Sequence, residues 1–347
     1  MKTLRLTVDP ANLTSAEAEK TLEQAAAILC GGGLVALPTE TVYGLGANAL
    51  DAAAVSRIFQ AKQRPAWDPV IVHVADETML DGLVEELPDE ARKLMKAFWP
   101  GPLTLLLPRT AMVPDGVTAG RPLVGVRMPA HPVALELIRR AGVPVAEPSA
   151  NLFSHTSPTT AQHVLSDLDG RIDAVLDAGP TEHGVESTVL DPCKMMIYRP
   201  GAVTAAQIQQ IAGPVEIYRD NGTLQATPRE ALPSPGVGLR HYAPRARLVL
   251  IEDELAALAA RLAGAVEDLP EDQVGVMLPT ELPAPAAATA VWAWGSWAAP
   301  EQMARTLYAG LRELDGKGCT VILCPLPPAA GIGAAIRDRL LKAGNRE

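Results

Sequence analysis

The sequence predicts an α/β protein with two domains of unequal size. Segments with the apolar spacing of helices alternate with short apolar strands over residues 1–213. The alternation returns, more regularly, over residues 246–347, whereas residues 214–245 have little periodicity and many Pro, Gly and Asn residues. A chain of 347 residues is long enough for two cores. We therefore predict a larger first domain, a linker or lid over 214–245, and a smaller second domain.

The helices of the first domain are predicted from apolar periodicity and capping residues. Ser15 and Asp51 are placed to cap the first two helices, and Gly31 is placed to end the first. Ser157 and Pro158 suit the start of a later helix. The predicted helical segments are SAEAEKTLEQAAAILCGGG, DAAAVSRIFQAKQ, LPDEARKLMKAFWPG, HPVALELIRRAG and SPTTAQHVLSDL.

The strands of the first domain are short apolar runs between these helices. They are LVALP, PVIVHV, LTLLLP, LVGVRMP, VPVAEPSA, DAVLDAG, STVLDP and MMIYRPG. The glycine-containing stretch TETVYGLGANA, which follows the first of them, is predicted to be a loop. This order is typical of an α/β or α+β domain with strands and helices mixed along the chain.

The second domain alternates strand and helix almost strictly. The predicted strands are RLVLIE, VGVMLP, TAVWAWG and CTVILCP, and the predicted helices are DELAALAARLAGAV, APEQMARTLYAGLREL and GIGAAIRDRLLKAG. Strands separated by helices usually form a parallel sheet. We therefore expect a small α/β domain with a mostly parallel, Rossmann-like sheet.

Composition limits the classes of function. The chain has 30 Lys and Arg residues against 40 Asp and Glu residues, a net charge of -10, which excludes a broad basic surface for nucleic acid. An anion would have to bind in a local pocket. We expect no signal peptide and no membrane span, because no apolar run is long enough. The four cysteines form no CxxC pair, so we expect reduced, buried thiols in a cytoplasmic protein.

The familiar nucleotide and hydrolase motifs are missing. GLGANA and GIGAAI each lack the third glycine of a dinucleotide turn, and no GxxxxGK[ST] sequence occurs. We find no HExxH sequence and no Ser-His-Asp order. The remaining candidate residues can bind an anionic substrate and hold it in position, which suits phosphoryl or nucleotidyl transfer.

Three arginines carry the anion-binding hypothesis. Arg64, Arg127 and Arg199 each precede a proline at or near a strand boundary, and Lys62 lies close to the first of them. Lys62 and Arg64 have an alternative reading as the solvated end of a helix, where cations complement the helix dipole. An ammonium beside a planar guanidinium is also a good cradle for a triphosphate. The strand that follows carries a single histidine, His73.

Small polar side chains cluster after two predicted strands. Ser149, Asn151, Ser157 and Thr159 follow the strand VPVAEPSA, and Ser187 precedes the strand STVLDP. Ligands bind at the carboxyl ends of strands in α/β folds. Turn and cap roles explain the same residues without any ligand, and that alternative stays open.

Taken together and in order, the motifs resemble the YrdC/Sua5 family of L-threonylcarbamoyladenylate synthases. The matching segments are PTETVYGLG, AKQRP with IVHV, WPGPLTLLL, VGVRMPAHP, PSAN with SPTTAQHV, GVESTVLD, YRPGAVT and SPGVGLRHYAPRA, and GIGAAIRDRLLKA is similar to the end of the Sua5-type second domain. The resemblance covers almost the whole chain.

The resemblance implies both a fold and a reaction. The fold is a YrdC-like twisted mixed sheet with a concave cavity, joined to a smaller Rossmann-like domain. The reaction converts L-threonine, bicarbonate and ATP to threonylcarbamoyl-AMP and pyrophosphate, with Mg²⁺ accompanying ATP and no organic cofactor. The product would pass to downstream transferase proteins that make the t6A modification of tRNA, without direct binding of tRNA by this chain.

The resemblance also assigns residues to each substrate. The threonine set is Thr41, His73, Arg127, Ser149 and Ser187. The ATP set is Lys62, Arg64, Asp68, Leu123 through its backbone, Asn151, Ser157 and Arg199, with His241 and Tyr242 from the linker. Lys62 and Arg64 would grip the phosphates and stabilise charge as pyrophosphate leaves. Arg127 would pair with the carboxylate of threonine. No resident metal site is implied.

Two residues depart from the family pattern. Asp68 replaces the usual Asn before IVHV, which puts an anion near the triphosphate, and Glu147 replaces an Ala before PSAN. Glu147 would either face away into a salt bridge or narrow the pocket. Two other functions stay open: carbamoyl transfer to another acceptor, and an RNA-binding module, against which the net charge argues.

Overall fold

The computed structural model describes residues 2–219, 232, 234, 236, 241–270 and 272–344. The chain divides into two compact units. The first comprises Met1–Phe153, Ser157–Glu182 and Glu186–Gly238, and the second comprises Ser154–Thr156, His183–Val185 and Leu239–Glu347. Much of the predicted linker, namely residues 220–231, 233, 235 and 237–240, lies outside the described residues.

The first unit is built on a mixed sheet, which has eleven strands among the described residues. The strands are β1 Leu4–Thr7, β2 Val35–Pro38, β3 Tyr43–Asn48, β4 Ile71–His73, β5 Leu103–Pro108, β6 Leu123–Arg127, β7 Val145–Ala146, β8 Ala174–Asp177, β9 Thr188–Asp191, β10 Met196–Arg199 and β11 Glu216–Ile217. Their order across the sheet is β1-β8-β2-β3-β7-β4-β6-β5-β9-β10-β11. The sheet contains both parallel and antiparallel pairs, so the predicted mixed α/β class is confirmed.

Among the described residues of the first unit, seven α-helices connect and cover these strands. They are α1 Ala16–Cys30, α2 Ala52–Lys62, α3 Asp89–Phe98, α4 Asp115–Thr118, α5 Pro132–Ala141, α6 Ala161–Leu168 and α7 Ala205–Ala212. The predicted caps are confirmed: Ser15 accepts from the backbone N–H of Ala18, and Asp51 accepts from those of Ala53 and Ala54. Such caps satisfy N–H groups that have no partner inside the helix.

Both faces of the sheet are covered by apolar packing. Val35 and Leu37 of β2 pack with α1 and α5, whereas Ala36 of the same strand packs on the opposite side. This alternation follows from the two-residue period of a strand. The sheet is therefore buried on both sides and holds its polar residues rigidly.

Three local predictions are wrong. Tyr43–Asn48, predicted as a loop, is a buried strand between β2 and β7, since its glycines permit close packing. Helix α6 begins at Ala161, because Thr160 rather than Ser157 caps it. The linker's first residues are not structureless, since Glu216–Ile217 pairs with β10.

The second unit is a small parallel α/β sheet. Its strands are β12 Arg247–Ile251, β13 Val274–Pro279, β14 Ala290–Gly295 and β15 Val321–Pro325, in the order β12-β15-β13-β14, and its helices are α8 Leu255–Glu267, α9 Pro300–Gly316 and α10 Gly333–Gly344. Every pair of adjacent strands is parallel, which confirms the predicted sheet. Leu258, Leu262 and Val266 of α8 pack against the strands in an apolar core.

The thiols and the apolar segments were also predicted from sequence. All four cysteines are free; Cys319 and Cys324 are buried as expected, but Cys30 and Cys193 are exposed. Cys30 is the last residue of α1 and Cys193 lies in the turn between β9 and β10, where neither side chain faces a core. Within the described ranges, no helix has the length and hydropathy needed to cross a bilayer.

Candidate active site

The centre of the first unit's sheet brings His73 and Arg127 together. They are the last residues of the parallel strands β4 and β6 and are direct partners in the register. On its other side β4 pairs with β7, so that His73 lies opposite Val145. Both side chains are buried, at 3% exposure. Carboxyl ends of neighbouring strands thus place an imidazole beside a guanidinium, as expected for an α/β ligand site.

Arg127 is held by three partners. Its Nη2 lies 2.5 Å from Glu40 Oε1, its Nη1 donates to Thr41 Oγ1 at 3.1 Å, and its Nε donates to the carbonyl of Gly101 at 3.1 Å. Glu40 and Thr41 come from the turn between β2 and β3. A buried ion pair of this kind is stable only when its remaining donors are also bonded. The structure thus joins Thr41 and Arg127, two residues predicted for threonine.

Glu147 points inward and lies against His73. Its carboxyl group is fully buried, and Oε2 is 3.3 Å from His73 Nδ1. Burial raises the pKa of Glu147 well above its usual value, a shift that Arg127 opposes and Glu40 reinforces. Burial likewise lowers the pKa of His73 well below its usual value, helped by Arg127 and Arg199. Both shifts favour the uncharged form of the group. Of the two orientations considered for Glu147, the inward one is found.

Lys62 ends helix α2 with its ammonium group inside the protein. Its Nζ donates to the carbonyl oxygens of Ser149 at 2.5 Å and Asn151 at 2.6 Å. Burial and the neighbouring Arg64 lower the pKa of Lys62 well below its usual value. The reading of Lys62 as a solvated helix end is wrong, since the residue is 1% exposed. Lys62 instead fastens the PSAN segment to α2.

Arg64 is paired with Asp68, four residues later in the loop after α2. The guanidinium Nη2 lies 3.0 Å from Asp68 Oδ2 and donates to the carbonyl of Pro69 at 2.7 Å, and Nε donates to the carbonyl of Asp68 at 3.1 Å. The side chains are 6% and 0% exposed. Burial raises the pKa of Asp68, although Arg64, Lys62 and Arg199 oppose that shift. The carboxyl group of Asp68, which was predicted to place an anion near the triphosphate, thus forms an ion pair with Arg64.

Arg199 and Ser187 form a second anchored pair. Arg199 Nε donates to the carbonyl of Ser187 at 3.0 Å and its Nη2 to the hydroxyl of Ser187 at 3.0 Å. The same hydroxyl lies 2.8 Å from that of Thr104 on β5. Arg199 ends β10 and Ser187 precedes β9, which are antiparallel neighbours in the sheet. Because they are paired across these two strand ends, both Arg199 and Ser187 lie at strand boundaries, as the sequence predicted.

The electrostatic couplings join these pairs into one cluster. Arg64, Lys62 and Arg199 all act on the carboxyl group of Asp68, and Arg127 and Arg199 both act on His73. Coulombic interaction weakens with distance, so these couplings indicate that the charges lie in one region of the unit. Cations from residues 62 to 199 therefore meet in the same part of the first unit.

The remaining predicted residues of the first unit have contacts of their own. Ser157 donates to Glu186 Oε1 at 2.5 Å, and Asn151 Nδ2 donates to the carbonyl of Leu152 at 2.7 Å. Ser149 forms an isolated bridge with Gly44 and is half-buried. Leu123 begins β6, at the opposite end of that strand from Arg127. Thr159 lies 3.3 Å from the imidazole of His163 and belongs to the start of α6.

His241 and Tyr242 belong to the second unit. Tyr242 has a left-handed backbone conformation, with φ of 64°. Its ring stacks on Tyr308 at 6.0 Å between centroids, and the guanidinium of Arg339 lies over it at 5.1 Å. These contacts fix Tyr242 within its own unit. The predicted role of these two residues over the nucleotide stays a prediction.

Sequence reasoning missed three partners: Glu40, Thr104 and Glu186. Glu40 neutralises Arg127, and Glu186 accepts from Ser157. Both carboxylates lie inside quoted motifs, PTETVYG and GVESTV, beside residues that were selected. The rule that a buried cation or hydroxyl requires a partner was the available signal.

Comparisons with family models cover both units. Residues 27–201 match the Sua5_yciO_yrdC family, described as "Telomere recombination". Residues 203–345 match the Sua5_C family, described as "Threonylcarbamoyl-AMP synthase, C-terminal domain". The two models together span nearly all of the chain.

Named relatives match over their full length. The threonylcarbamoyl-AMP synthase of Bacillus subtilis is 42% identical over 99% of this chain and 98% of its own. That of Pyrococcus abyssi is 41% identical over 92% of each chain. The crystal structure of P. abyssi Sua5 complexed with L-threonine superposes with a TM-score of 0.90 and 39% identity, covering 99% of this chain and 98% of the other.

Proposed function

The chain belongs to the family of two-domain threonylcarbamoyl-AMP synthases, and we propose that its buried cation cluster is where L-threonine, bicarbonate and ATP are joined. The products are threonylcarbamoyl-AMP and pyrophosphate. The observation that carries this proposal is the meeting of Lys62, Arg64, Arg127 and Arg199 in the interior of one unit of an acidic protein. Buried cations are costly, so a fold retains them where an anionic ligand repays the cost.

We assign the nucleotide to the part of the cluster around Asp68. Arg64 keeps Nη1 without a hydrogen bond to any described residue, and Lys62 gives only two of its three N–H groups to carbonyls. These groups, with Arg199, would contact the triphosphate and stabilise the charge that shifts to pyrophosphate as it leaves. Leu123, Asn151 and Ser157 would position the rest of the nucleotide.

We assign the amino acid to the part of the cluster around Arg127. The guanidinium of Arg127 would pair with the carboxylate of threonine, and Thr41, His73, Ser149 and Ser187 would order its remaining groups. P. abyssi Sua5 was crystallised with L-threonine, which supports this choice of amino acid. Neutral His73 is suited to hydrogen bonding rather than to ion pairing.

The proposed chemistry needs alignment more than proton transfer. The amine of threonine would attack the carbon of bicarbonate with loss of water, and the resulting carbamate oxygen would attack the α-phosphorus of ATP. The bond between that phosphorus and the β-phosphate oxygen breaks, and pyrophosphate leaves. Holding three reactants together supplies much of the acceleration.

Magnesium is proposed as part of the ATP substrate. Mg²⁺ usually binds through substrate phosphates and water rather than through an all-protein cage. Asp68, the carboxylate among the nucleotide residues, is paired with Arg64. Within the described residues no group of three or more His, Cys, Asp or Glu side chains could hold a metal ion.

We further propose the context of the reaction. The product would pass to transferases that make t6A in tRNA, and the enzyme would act in the cytoplasm, where free thiols persist. Residues 1–213 would carry the chemistry, residues 214–245 would serve as a lid that excludes water from the labile anhydride, and 246–347 would form the second domain. His241 and Tyr242 would belong to that lid.

The test is product analysis of the full-length protein with ATP, L-threonine and bicarbonate. We expect pyrophosphate release that depends on threonine, and a mass spectrum that contains threonylcarbamoyl-AMP. Equal release with serine would disprove the specificity for threonine, and equal release without any amino acid would disprove the reaction. Appearance of carbamoyl-AMP without threonine would favour carbamoyl transfer to another acceptor.

A further inference from the structure

Glu147 is a buried acid for which the proposed reaction has no use so far. It follows the short strand β7, and its backbone N–H donates to the carbonyl of Ile71 at 2.8 Å, which ties it to β4. Its carboxyl group is 0% exposed. Neither carboxyl oxygen forms a well-aligned hydrogen bond with a described residue. A buried polar group in this condition calls for a specific reason.

The neighbouring strand is shaped to receive this side chain. A Cβ atom added to Gly44 of β3 would lie 2.0 Å from Glu147 Oε1 and 2.3 Å from its Cγ. Only glycine therefore permits the acid to lie flat against the β3 backbone. His73 on β4 contacts it on the other side, at 3.3 Å. The acid is thus held between two strands, with the imidazole as its nearest polar neighbour.

The charges around Glu147 and His73 decide whether the shared proton lies on the carboxyl group or on Nδ1 of the imidazole. Arg127 is already matched by Glu40 at 2.5 Å, so a carboxylate at Glu147 would have no cation of its own among the described residues, with His73 as its ion-pair neighbour. Glu147 is therefore the neutral acid, and its O–H is the group that can donate to Nδ1 of His73. When Nδ1 accepts, the ring proton lies on Nε2. Nε2 is buried and has no hydrogen bond with a described residue.

We propose that Glu147 is a positioning residue that donates from its neutral carboxyl group to Nδ1 of His73 and so presents Nε2–H to the amino-acid substrate. This inference rests on the proposed threonine site. It makes the His73–Glu147 pair a fixed donor, suited to an oxygen atom of the amino acid and unsuited to its ammonium group.

The proposal has a definite pH dependence. The charged groups that face the pair are Arg127, Glu40 and Arg199. When Glu147 loses its proton, the carboxylate accepts from Nδ1–H and Nε2 becomes an acceptor. The donor to substrate is lost, so activity falls on the alkaline side.

The direct test is the tautomer of His73, read by two-bond ¹H–¹⁵N correlation spectra of the full-length protein labelled on histidine. His73→Asn assigns the resonance among the six histidines. We expect the Nε2–H form at neutral pH in the wild type and in Glu147→Gln, whose amide N–H also donates. Glu147→Ala should lose this preference. A wild-type Nδ1–H form, or an unchanged tautomer in Glu147→Ala, would overturn the proposal.

Kinetics provide the second readout, by threonine-dependent pyrophosphate release. Glu147→Ala should raise KM for threonine about 10- to 100-fold, the range for removing a group that orients a ligand-binding histidine, with little change in KM for ATP. Glu147→Gln should lose less than about tenfold and should lack the alkaline fall. Glu90→Gln, on the exposed surface of α3, is the matched control and should behave as wild type.

The two readouts separate this proposal from the proposed function. The tautomer is measured without substrate, so an inactive protein with the Nε2–H form would refute the synthase and leave the pair intact. An active synthase in which Glu147→Gln keeps the alkaline fall, or loses as much activity as Glu147→Ala, would refute the role of Glu147 alone.

Discussion

The two units of the chain have interiors of opposite character. The first buries charged groups in quantity; they are Glu40, Lys62, Asp68, Arg127, Glu147, Glu186, Asp191 and Arg199. Among the described residues from Arg245 onward, Arg339 is the one charged residue that is buried. The second unit otherwise buries mainly aliphatic and aromatic side chains, as an ordinary parallel α/β domain does. Buried charges cost stability, so under the proposed function the first unit is less stable than an apolar core would make it, in exchange for its ligand site. Arg339 aside, the described residues of the second unit carry no such cost.

The comparison predicts that the same kind of substitution has different consequences in the two units. A change in the first unit should affect both stability and reaction, because its buried groups serve both. A change in the second unit's core should affect stability alone. The variants below test this, beginning with the largest expected effect.

Arg127→Met should be the most damaging change. It leaves Glu40 buried without a cation, which costs about 3–5 kcal/mol of unfolding free energy. It also removes the proposed partner of the substrate carboxylate, so threonine-dependent pyrophosphate release should disappear. Chemical denaturation and the pyrophosphate assay measure the two effects separately.

The double variant Arg127→Met/Glu40→Gln separates stability from reaction. Neutralising Glu40 removes the uncompensated charge, so most of the lost stability should return. Activity should stay absent, since the guanidinium is still missing. A double variant that recovers turnover along with stability would mean that Arg127 is structural and does not bind the substrate.

Arg64→Ala should reduce turnover more than it reduces the free energy of unfolding. We expect turnover to fall about 10²- to 10³-fold, which corresponds to roughly 3–4 kcal/mol, the range for removing a preorganised donor. Arg261→Ala in the second unit is the control, because Arg261 is 65% exposed and lies 3.6 Å from Asp253. Steady-state kinetics with ATP as the varied substrate measure the effect. Near-normal turnover in Arg64→Ala would exclude Arg64 from the mechanism.

Local signals explain which parts of the fold could be predicted. The caps at Ser15 and Asp51 depend on residues near one another in sequence. The parallel sheet of the second unit was predictable because strands and helices alternate along the chain. Tyr43–Asn48 was misread because glycine in a strand looks like a turn. Gly44 and Gly46 allow neighbouring side chains to pack closely against β3. A Cβ on Gly46 would lie 2.8 Å from Val145, a residue about a hundred positions away, so the requirement for glycine could not be read locally.

The same limit applies to the site. Lys62, Arg127 and Arg199 were visible because cations beside strand ends and prolines are unusual in an acidic chain. Their partners were not visible, because Glu40 meets Arg127 and Glu186 meets Ser157 only in the folded protein. No spacing rule connects such pairs. Sequence therefore predicted which cations lie near strand ends better than it predicted which groups balance their charge.

Glu147→Gln sharpens the comparison through the pH dependence of stability. Because burial raises the pKa of Glu147 above its unfolded value, the folded state holds the proton more tightly, and wild-type stability falls as pH rises above about 4.3. The loss approaches about 1.4 kcal/mol per pH unit and ends at the folded pKa. Glutamine does not titrate, so the free energy of unfolding of Glu147→Gln should rise relative to that of the wild type as pH rises from 5 to 8. Urea denaturation at several pH values measures this difference, and a constant difference would mean that Glu147 is not a strained buried acid.

The smallest predicted effect lies in the second unit. Ile336 of α10 is fully buried among apolar groups, and Ile336→Val removes one methylene group at a cost of about 0.5–1.5 kcal/mol. The lost energy comes from packing alone, since no charged group depends on this side chain for its partner. Denaturation should therefore shift while kcat and both KM values stay at wild-type levels. If this variant changed KM for ATP or threonine, the second unit would be coupled energetically to the site, and the division between a unit for chemistry and a unit with an ordinary core would be wrong.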